Sequence, residues 1–172
     1  MIAWLNGPFG VGKTATARAM VERRPVMRIF DPEAVGSMLA ASLGDRRIAD
    51  FQDLSAWRSL VPQVAAEMAA ETGSDLIAVQ SVLVEPYWAE IRGGLEHEGI
   101  RVVHILLDCS EEVLRERIAR DLADPEAEGW RLDHVARYQA ARSWLVSTAD
   151  VVIDTSALRL AEVADRAIAA LG

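Results

Sequence analysis

The stretch GPFGVGKT, Gly7 to Thr14, constrains this chain more than any other. It satisfies G-x-x-x-x-G-K-[ST] through Gly7, Gly12, Lys13 and Thr14, and it lies between an apolar run, MIAWLN, and a helix-like one, KTATARAMVERR. Glycines let a backbone turn until several N–H groups point into one hollow, which suits phosphate oxygens. A helix that starts at the rim aims its positive dipole end into the same hollow. Gly7, Phe9, Gly10, Val11, Gly12 and Ala15 are expected to wrap the phosphates. Lys13 would reach the terminal phosphates, and the Thr14 hydroxyl would ligate Mg²⁺. The expected ligand is ATP with Mg²⁺; no N/T-K-x-D sequence of the guanine-reading kind accompanies the loop.

The rest of the chain alternates short β-like and longer helical stretches. Strands are expected at Met1–Asn6, Val26–Phe30, Leu76–Val84, Ile100–Leu107 and Val151–Asp154. Helices are expected over Lys13–Arg24, from Asp31-Pro32-Glu33 onward, through most of Asp50–Glu71, over Pro86–Glu98, from Ser110 to Leu122, over Leu132–Leu145 and over Leu158–Leu171. Pro62 predicts a kink or a fresh start within the third helix. The alternation predicts a single α/β domain, residues 1–172, with five parallel strands covered on both faces. The one clear interruption is ADPEAEGWR, Ala123–Arg131, which marks a lid at about residues 121–133.

With 172 residues, 51% of them hydrophobic, the chain has material for one good core. Its net charge of −8 argues against a general affinity for nucleic acid, while a local positive hollow can still hold a small polyanion. Cys109 is the only cysteine, which fits a reducing, cytoplasmic setting. The first apolar run is short and broken by Gly-Pro, so no secretory signal is expected, and no run is long enough for a membrane span. Both a monomer and a homodimer remain open.

Phosphoryl transfer needs an acid to hold the metal or orient the nucleophile. The third strand, LIAVQS, ends in Gln80 and Ser81 instead. Three other strands end in an acid: Asp31, Asp108 and Asp154. Asp31 is the preferred candidate for base and metal ligand, because DPE sets Asp31 and Glu33 at a helix start beside the expected acceptor pocket; a plain helix cap is the competing reading. Asp108 reads as structural. Asp154-Thr155-Ser156 suits either a nucleobase wall, with Thr155 against the cofactor, or a cap.

Arg115, Arg117 and Arg120 lead into the lid, with Arg131 and Arg137 beyond it. Arginines brought in by a closing loop stabilise migrating phosphoryl charge, and Arg117 and Arg120 are the better candidates. Glu111–Arg115 and Glu116–Arg120 also have ion-pair spacing along a helix. On the acceptor side, DFQDLSAWR contributes Gln52, Trp57 and Arg58, QSVLVEPYW contributes Gln80, and Arg131 completes the set. Trp57, Tyr87 and Trp88 serve either as ring platforms or as core.

WLNGPFGVGKT, FDPE, DFQDLSAWR, LIAVQSVLVEP and HILLDCSEEVLRERI together resemble the tunicamycin resistance protein family. More broadly, the chain is similar to the small P-loop kinases, among them nucleoside monophosphate, shikimate and gluconate kinases and chloramphenicol phosphotransferase. The resemblance implies strand order 2-3-1-4-5, a mobile lid before the last strand, and ATP with Mg²⁺ at Gly7–Thr14. It implies that Asp31 acts as base toward an acceptor hydroxyl and that a lid arginine matches Arg120 or a neighbour. The acid-rich lid departs from the family pattern. Two functions follow: an ATP-dependent kinase acting on a small, nucleoside-like acceptor, or an ATP-binding protein that sequesters a drug without modifying it.

Overall fold

The computed structural model describes residues 1–44, 48–120 and 128–172, with the backbone alone for residues 128–132. Five parallel strands, β1 (Ile2–Asn6), β2 (Arg28–Phe30), β3 (Leu76–Val79), β4 (Val102–Asp108) and β5 (Val151–Asp154), form one sheet in the order β2-β3-β1-β4-β5. Among the described residues seven helices connect and flank them: α1 (Lys13–Arg23), α2 (Pro32–Leu43), α3 (Ser55–Thr72), α4 (Glu85–His97), α5 (Glu111–Arg120), α6 (Glu128–Thr148) and α7 (Leu160–Ala169). This is the P-loop kinase fold expected from the sequence.

β1 is the centre of the sheet. It pairs with β3 on one side, Ile2 opposite Leu76, and with β4 on the other, Ile2 opposite Val102. A strand with neighbours on both sides and helices on both faces has no polar side, which explains its unbroken apolar sequence. Alternation along the strand then divides the core. Ala3 and Leu5 pack with Ile77, Val103, Ile105 and Met20 of α1. Ile2 and Trp4 face the other way, toward Trp57 and Val61 of α3 and Trp88 and Ile91 of α4.

The elements depart from expectation at a few places, each with a local cause. β3 ends at Val79 and not at Val84, because Val82 turns from the sheet and bonds to the Asn6 side chain instead. Residues Phe51–Asp53 form a 3₁₀ turn capped by Asp50, and α3 starts after it. Pro62 neither ends nor restarts α3, which runs on to Thr72; its ring lies where a Cβ on Gly94 of α4 would stand, 2.7 Å away, so the proline serves as a packing surface. α6 begins at Glu128, earlier than expected, so the end of the expected lid, residues 128–133, is helical, while residues 121–127 lie outside the described residues.

His104 is the polar exception within β4. It is fully buried, its ring lies 4.3 Å from that of Trp88, its Nδ1 faces Thr148 O at 3.3 Å, and its Nε2 has no partner. Burial pushes its pKa down to about 4. The unfolded chain takes up the proton near the ordinary value of 6.5, so stability present above that pH is lost as pH falls toward 4. The loss amounts to about 3 kcal/mol. Urea melts between pH 7 and 4 should show this acid limb, and His104→Gln should remove most of it.

Candidate functional site

The site lies at the carboxyl ends of β1 and β3, where the connections leave in opposite directions and open a crevice. The loop after β1 is shaped by one close approach and by left-handed glycine backbone. Gly7 takes φ 138°, and a Cβ there would stand 2.2 Å from Leu107 O of β4. Gly12 takes φ 103° as the residue before α1, leaving the first amides of that helix without intrahelical partners at the rim.

Three hollows adjoin this loop. The first, about 470 Å³, is lined by Phe9, Gly10, Gly12, Lys13, Thr14 and Ala15 and, across from them, by Asp31, Glu33, Gln80 and Ser81. The second, about 340 Å³, shares Phe9, Glu33, Gln80 and Ser81 with the first and extends to Asp50, Gln52, Asp53, Tyr87, His134 and Arg137. The third, about 220 Å³, lies on the far side of the loop among Val11, Arg117, Thr155, Leu158, Leu160 and Val163. Two of the hollows thus share a wall, and the third lies behind the loop.

Charge is concentrated at the common wall. Lys13 Nζ donates to Gly7 O at 3.0 Å and to Pro8 O at 2.8 Å, and lies 5.2 Å from the centre of the Phe9 ring. Burial lowers its pKa to about 7, against a smaller opposing pull from Glu33. Glu33 is held above the ordinary carboxylate range, first by burial and then by Asp31. Asp31 is exposed; its Oδ1 accepts from Glu33 N at 2.9 Å, so it does cap α2 while lining the phosphate-side hollow. Thr14 and Asp31 supply hard oxygen donors to one hollow, a donor set that suits Mg²⁺. Among the described residues no group of three or more metal-ligating side chains occurs, so such an ion would share its remaining positions with phosphate and water.

Other candidates stand elsewhere. Trp57 is fully buried and donates from Nε1 to Pro32 O at 2.9 Å, so it fixes α3 against α2 and reaches no hollow. Trp88 is also core. Arg58 lies behind Tyr87, 4.1 Å from its ring centre, and is engaged by Glu90 at 2.7 Å and Gln52 O at 2.6 Å. Gln52 lines the second hollow and donates to Ser81 O at 3.1 Å. Arg120 is 78% exposed in its side chain and paired with Glu116, so the Arg120 expected at the phosphates is not there in this structure. Arg117 donates to Thr155 Oγ1 at 2.9 Å, Thr155 O at 2.7 Å and Val11 O at 3.4 Å, which ties β5 to the loop and walls the third hollow. The Arg131 side chain lies outside the described residues.

Asp108 and Asp154 divide as structural elements. Asp108 is buried; it accepts from Tyr138 Oη at 2.6 Å, from Arg142 at 2.7 Å and from Cys109 N at 2.9 Å. Asp154 caps the following turn through Ser156 N, and hydrogen bonds from Ser156 hold its pKa low. Burial raises the Cys109 thiol to about 11, far from an activated thiolate. Sequence reasoning missed Asn6 and Ser81, which brace the loop, and His134, which lines the second hollow with Arg137, expected beside the lid, and Asp53 of the DFQDLSAWR stretch. The N-terminal position of Asn6, directly before the glycine, was a usable signal for the first.

Comparison with known proteins bears on this geometry. The AAA domain model matches residues 2–145. The chain belongs to the AAA domain family. It is also 31% identical to the tunicamycin resistance protein of Deinococcus radiodurans, over 99% of this chain and 95% of that one, with a TM-score of 0.78, and it belongs with that family. A gluconokinase from Sinorhizobium meliloti superposes with a TM-score of 0.68 at 19% identity, covering 98% of this chain and 90% of its own. The Mycobacterium tuberculosis APS kinase, solved with AMPPNP and APS, gives 0.67 at 18% identity, covering 99% and 96%. These last two share the fold. No curated protein matches the chain. No helix among the described residues is long and apolar enough to cross a membrane.

The two acids should separate cleanly in stability measurements. Asp108→Asn loses a buried charge-assisted network and should cost about 2–4 kcal/mol in denaturant melts. Asp31→Asn keeps a competent cap and should change stability by less than about 0.5 kcal/mol.

Proposed function

We propose that this chain transfers the γ-phosphoryl group of Mg-ATP to a hydroxyl of a small molecule. One observation carries the reading: the phosphate-side hollow and the second hollow meet at Phe9, Glu33, Gln80 and Ser81. A donor and an acceptor seated in them would face each other across that wall. The similarity to the tunicamycin resistance protein suggests a nucleoside-like antibiotic as acceptor.

Each residue then has a task. Loop amides and the α1 terminus hold the phosphates, and Lys13 leaves the carbonyls of Gly7 and Pro8 to neutralise the terminal ones. Arg117, Leu158 and Leu160 line the hollow that suits the nucleobase. Thr14 and Asp31 would hold Mg²⁺, which when bound neutralises developing charge on the phosphate oxygens. Glu33 is the better base, since it lines both hollows whereas Asp31 lines only the phosphate side. The acceptor oxygen forms a bond to the γ-phosphorus, the bond to the β–γ bridging oxygen breaks, and the hydroxyl proton passes to Glu33. Positioning and electrostatics supply most of the acceleration.

A second reading, sequestration of a drug without transfer, draws on Gln80 and Ser81 standing where an acid would close the third strand. Mass measurement separates the two. Incubation with Mg-ATP and a panel of hydroxylated acceptors should give a phosphate-sized gain, reduced by about 10²–10⁴-fold in Glu33→Gln. Tight binding with no mass gain, under conditions where Mg-ATP also binds, would leave sequestration.

Lys13 gives an independent check. With its pKa about 7 before nucleotide arrives, part of the population is neutral at pH 8, and a phosphate partner favours the charged form. Mg-ATP binding at pH 8 should therefore take up protons, and affinity should fall as pH rises above 7. Calorimetry in buffers of different ionisation enthalpy reads the uptake, and Lys13→Arg should abolish it.

A further inference from the structure

We propose that the acceptor is a hydrogen-bond-donating polyol with no anionic group, neutral or amine-bearing, and that Gln80 selects it. The inference rests on the phosphotransfer reading only in taking the second hollow as the acceptor site. Gln80 is 2% exposed and lines both hollows. Its backbone is committed: the N–H donates to Leu5 O at 3.3 Å, and the carbonyl accepts from Trp4 Nε1 at 3.2 Å. Its Nε2 donates to Ser81 O at 3.4 Å, while Oε1 is buried and has no partner among the described residues. Turning the amide over would set Oε1 against the Ser81 carbonyl, acceptor to acceptor, which favours the orientation seen. A buried acceptor left unmet is costly, and a ligand donor relieves it.

The charge on the rest of the lining is mostly negative. Glu33, Asp50 and Asp53 all face this hollow. Asp50 Oδ1 accepts from Gln52 N at 2.9 Å and Asp53 Oδ1 from Tyr87 Oη at 3.0 Å, so each carboxylate is held in place. Among the described lining residues Arg137 is the only arginine or lysine, and its Nη1 lies 3.2 Å from His134 Nε2. An anionic acceptor would meet three carboxylates against the one arginine. A hydroxyl or ammonium meets partners. Selection here is exclusion by like charge joined to reward for donors.

Matched probes test this. Glucosamine, glucose and gluconate share a carbon skeleton and carry positive, zero and negative charge; uridine and uridine monophosphate form a second pair. Each is titrated calorimetrically into the full chain preloaded with Mg-AMPPNP. The uncharged and cationic members should bind at least about tenfold more tightly than their anionic counterparts. Asp50→Asn with Asp53→Asn should narrow the glucosamine-to-gluconate ratio by about tenfold, and Gln80→Leu should weaken glucosamine and glucose together by a similar factor. Circular dichroism confirms that each variant is folded, and the aspartate pair decides the matter if Gln80→Leu is not. Anionic probes that bind as tightly as the others overturn the inference. So does failure of every neutral and cationic probe while Mg-AMPPNP binds, and the phosphotransfer reading then survives. Failure of Mg-AMPPNP itself sinks that reading instead, and the same titrations without nucleotide decide the inference.

Discussion

The side-chain amide of Asn6 is the interaction on which the site depends. Asn6 closes β1 and is fully buried. Its Oδ1 accepts from Gly7 N at 2.8 Å and from Val82 N at 3.0 Å, and its Nδ2 donates to Val82 O at 3.1 Å. A paired bond to one residue's N–H and C=O is what a neighbouring strand would supply. The side chain thus replaces the sheet where β1 and the segment after β3 must diverge. Aspartate could not donate to Val82 O, and leucine would leave three backbone groups unmet in the interior. Ser81 adds a second tie, donating from Oγ to Gly7 O at 2.7 Å. Together they set Gln80 and Ser81 beside the glycine loop, which is why the two hollows share a wall.

From that clamp follows the electrostatic state of the loop. Gly7 O receives both Ser81 and Lys13, so the lysine has a place to rest that leaves the loop's shape unchanged. That place is desolvated, hence the low pKa. Carbonyl dipoles hold an ammonium weakly compared with phosphate, so under the proposed function the loop is shaped for its ligand beforehand and little rearrangement is left to the transfer. Glu33 sits at the opposite edge with its carboxyl held above the ordinary range by burial and by Asp31, the direction the proposed base needs.

Local features were legible in the sequence, and long-range convergence was not. The glycine loop announced itself because its spacing is dictated by backbone geometry within eight consecutive residues. β1 was readable because both faces are buried, and Asp31-Pro32-Glu33 because capping is a matter of adjacent residues. β3 was read too long because Val82 is apolar and buried whether it pairs with a strand or with Asn6. Trp57 could not be assigned, since a tryptophan that donates to Pro32 O and one that stacks on a ligand look alike in one dimension. Arg120 was placed at the phosphates by position, yet Glu116 one turn earlier gives it a partner on the surface. The second hollow collects Glu33, Asp50, Gln80, Tyr87 and His134, which no spacing links.

Acids at strand ends are sorted in this fold by what covers them. Asp108 ends β4 as Asp31 follows β2, but Tyr138 and Arg142, one turn apart on α6, close over it. That grip holds the middle of α6 against β4. His134, one turn before Tyr138, and Arg137, next to it, then fall on the rim of the second hollow, and the His134 ring meets the Phe9 ring edge-on at 5.1 Å. Asp108 also receives Thr155 N and Oγ1 on its carbonyl, while Thr155 receives Arg117. One buried aspartate therefore fixes the helix beside the second hollow and, through its backbone, the wall of the third. Asp31, uncovered, stays exposed on the lining of the first hollow. The same side chain serves as scaffold where α6 covers it and remains open to a hollow where nothing does.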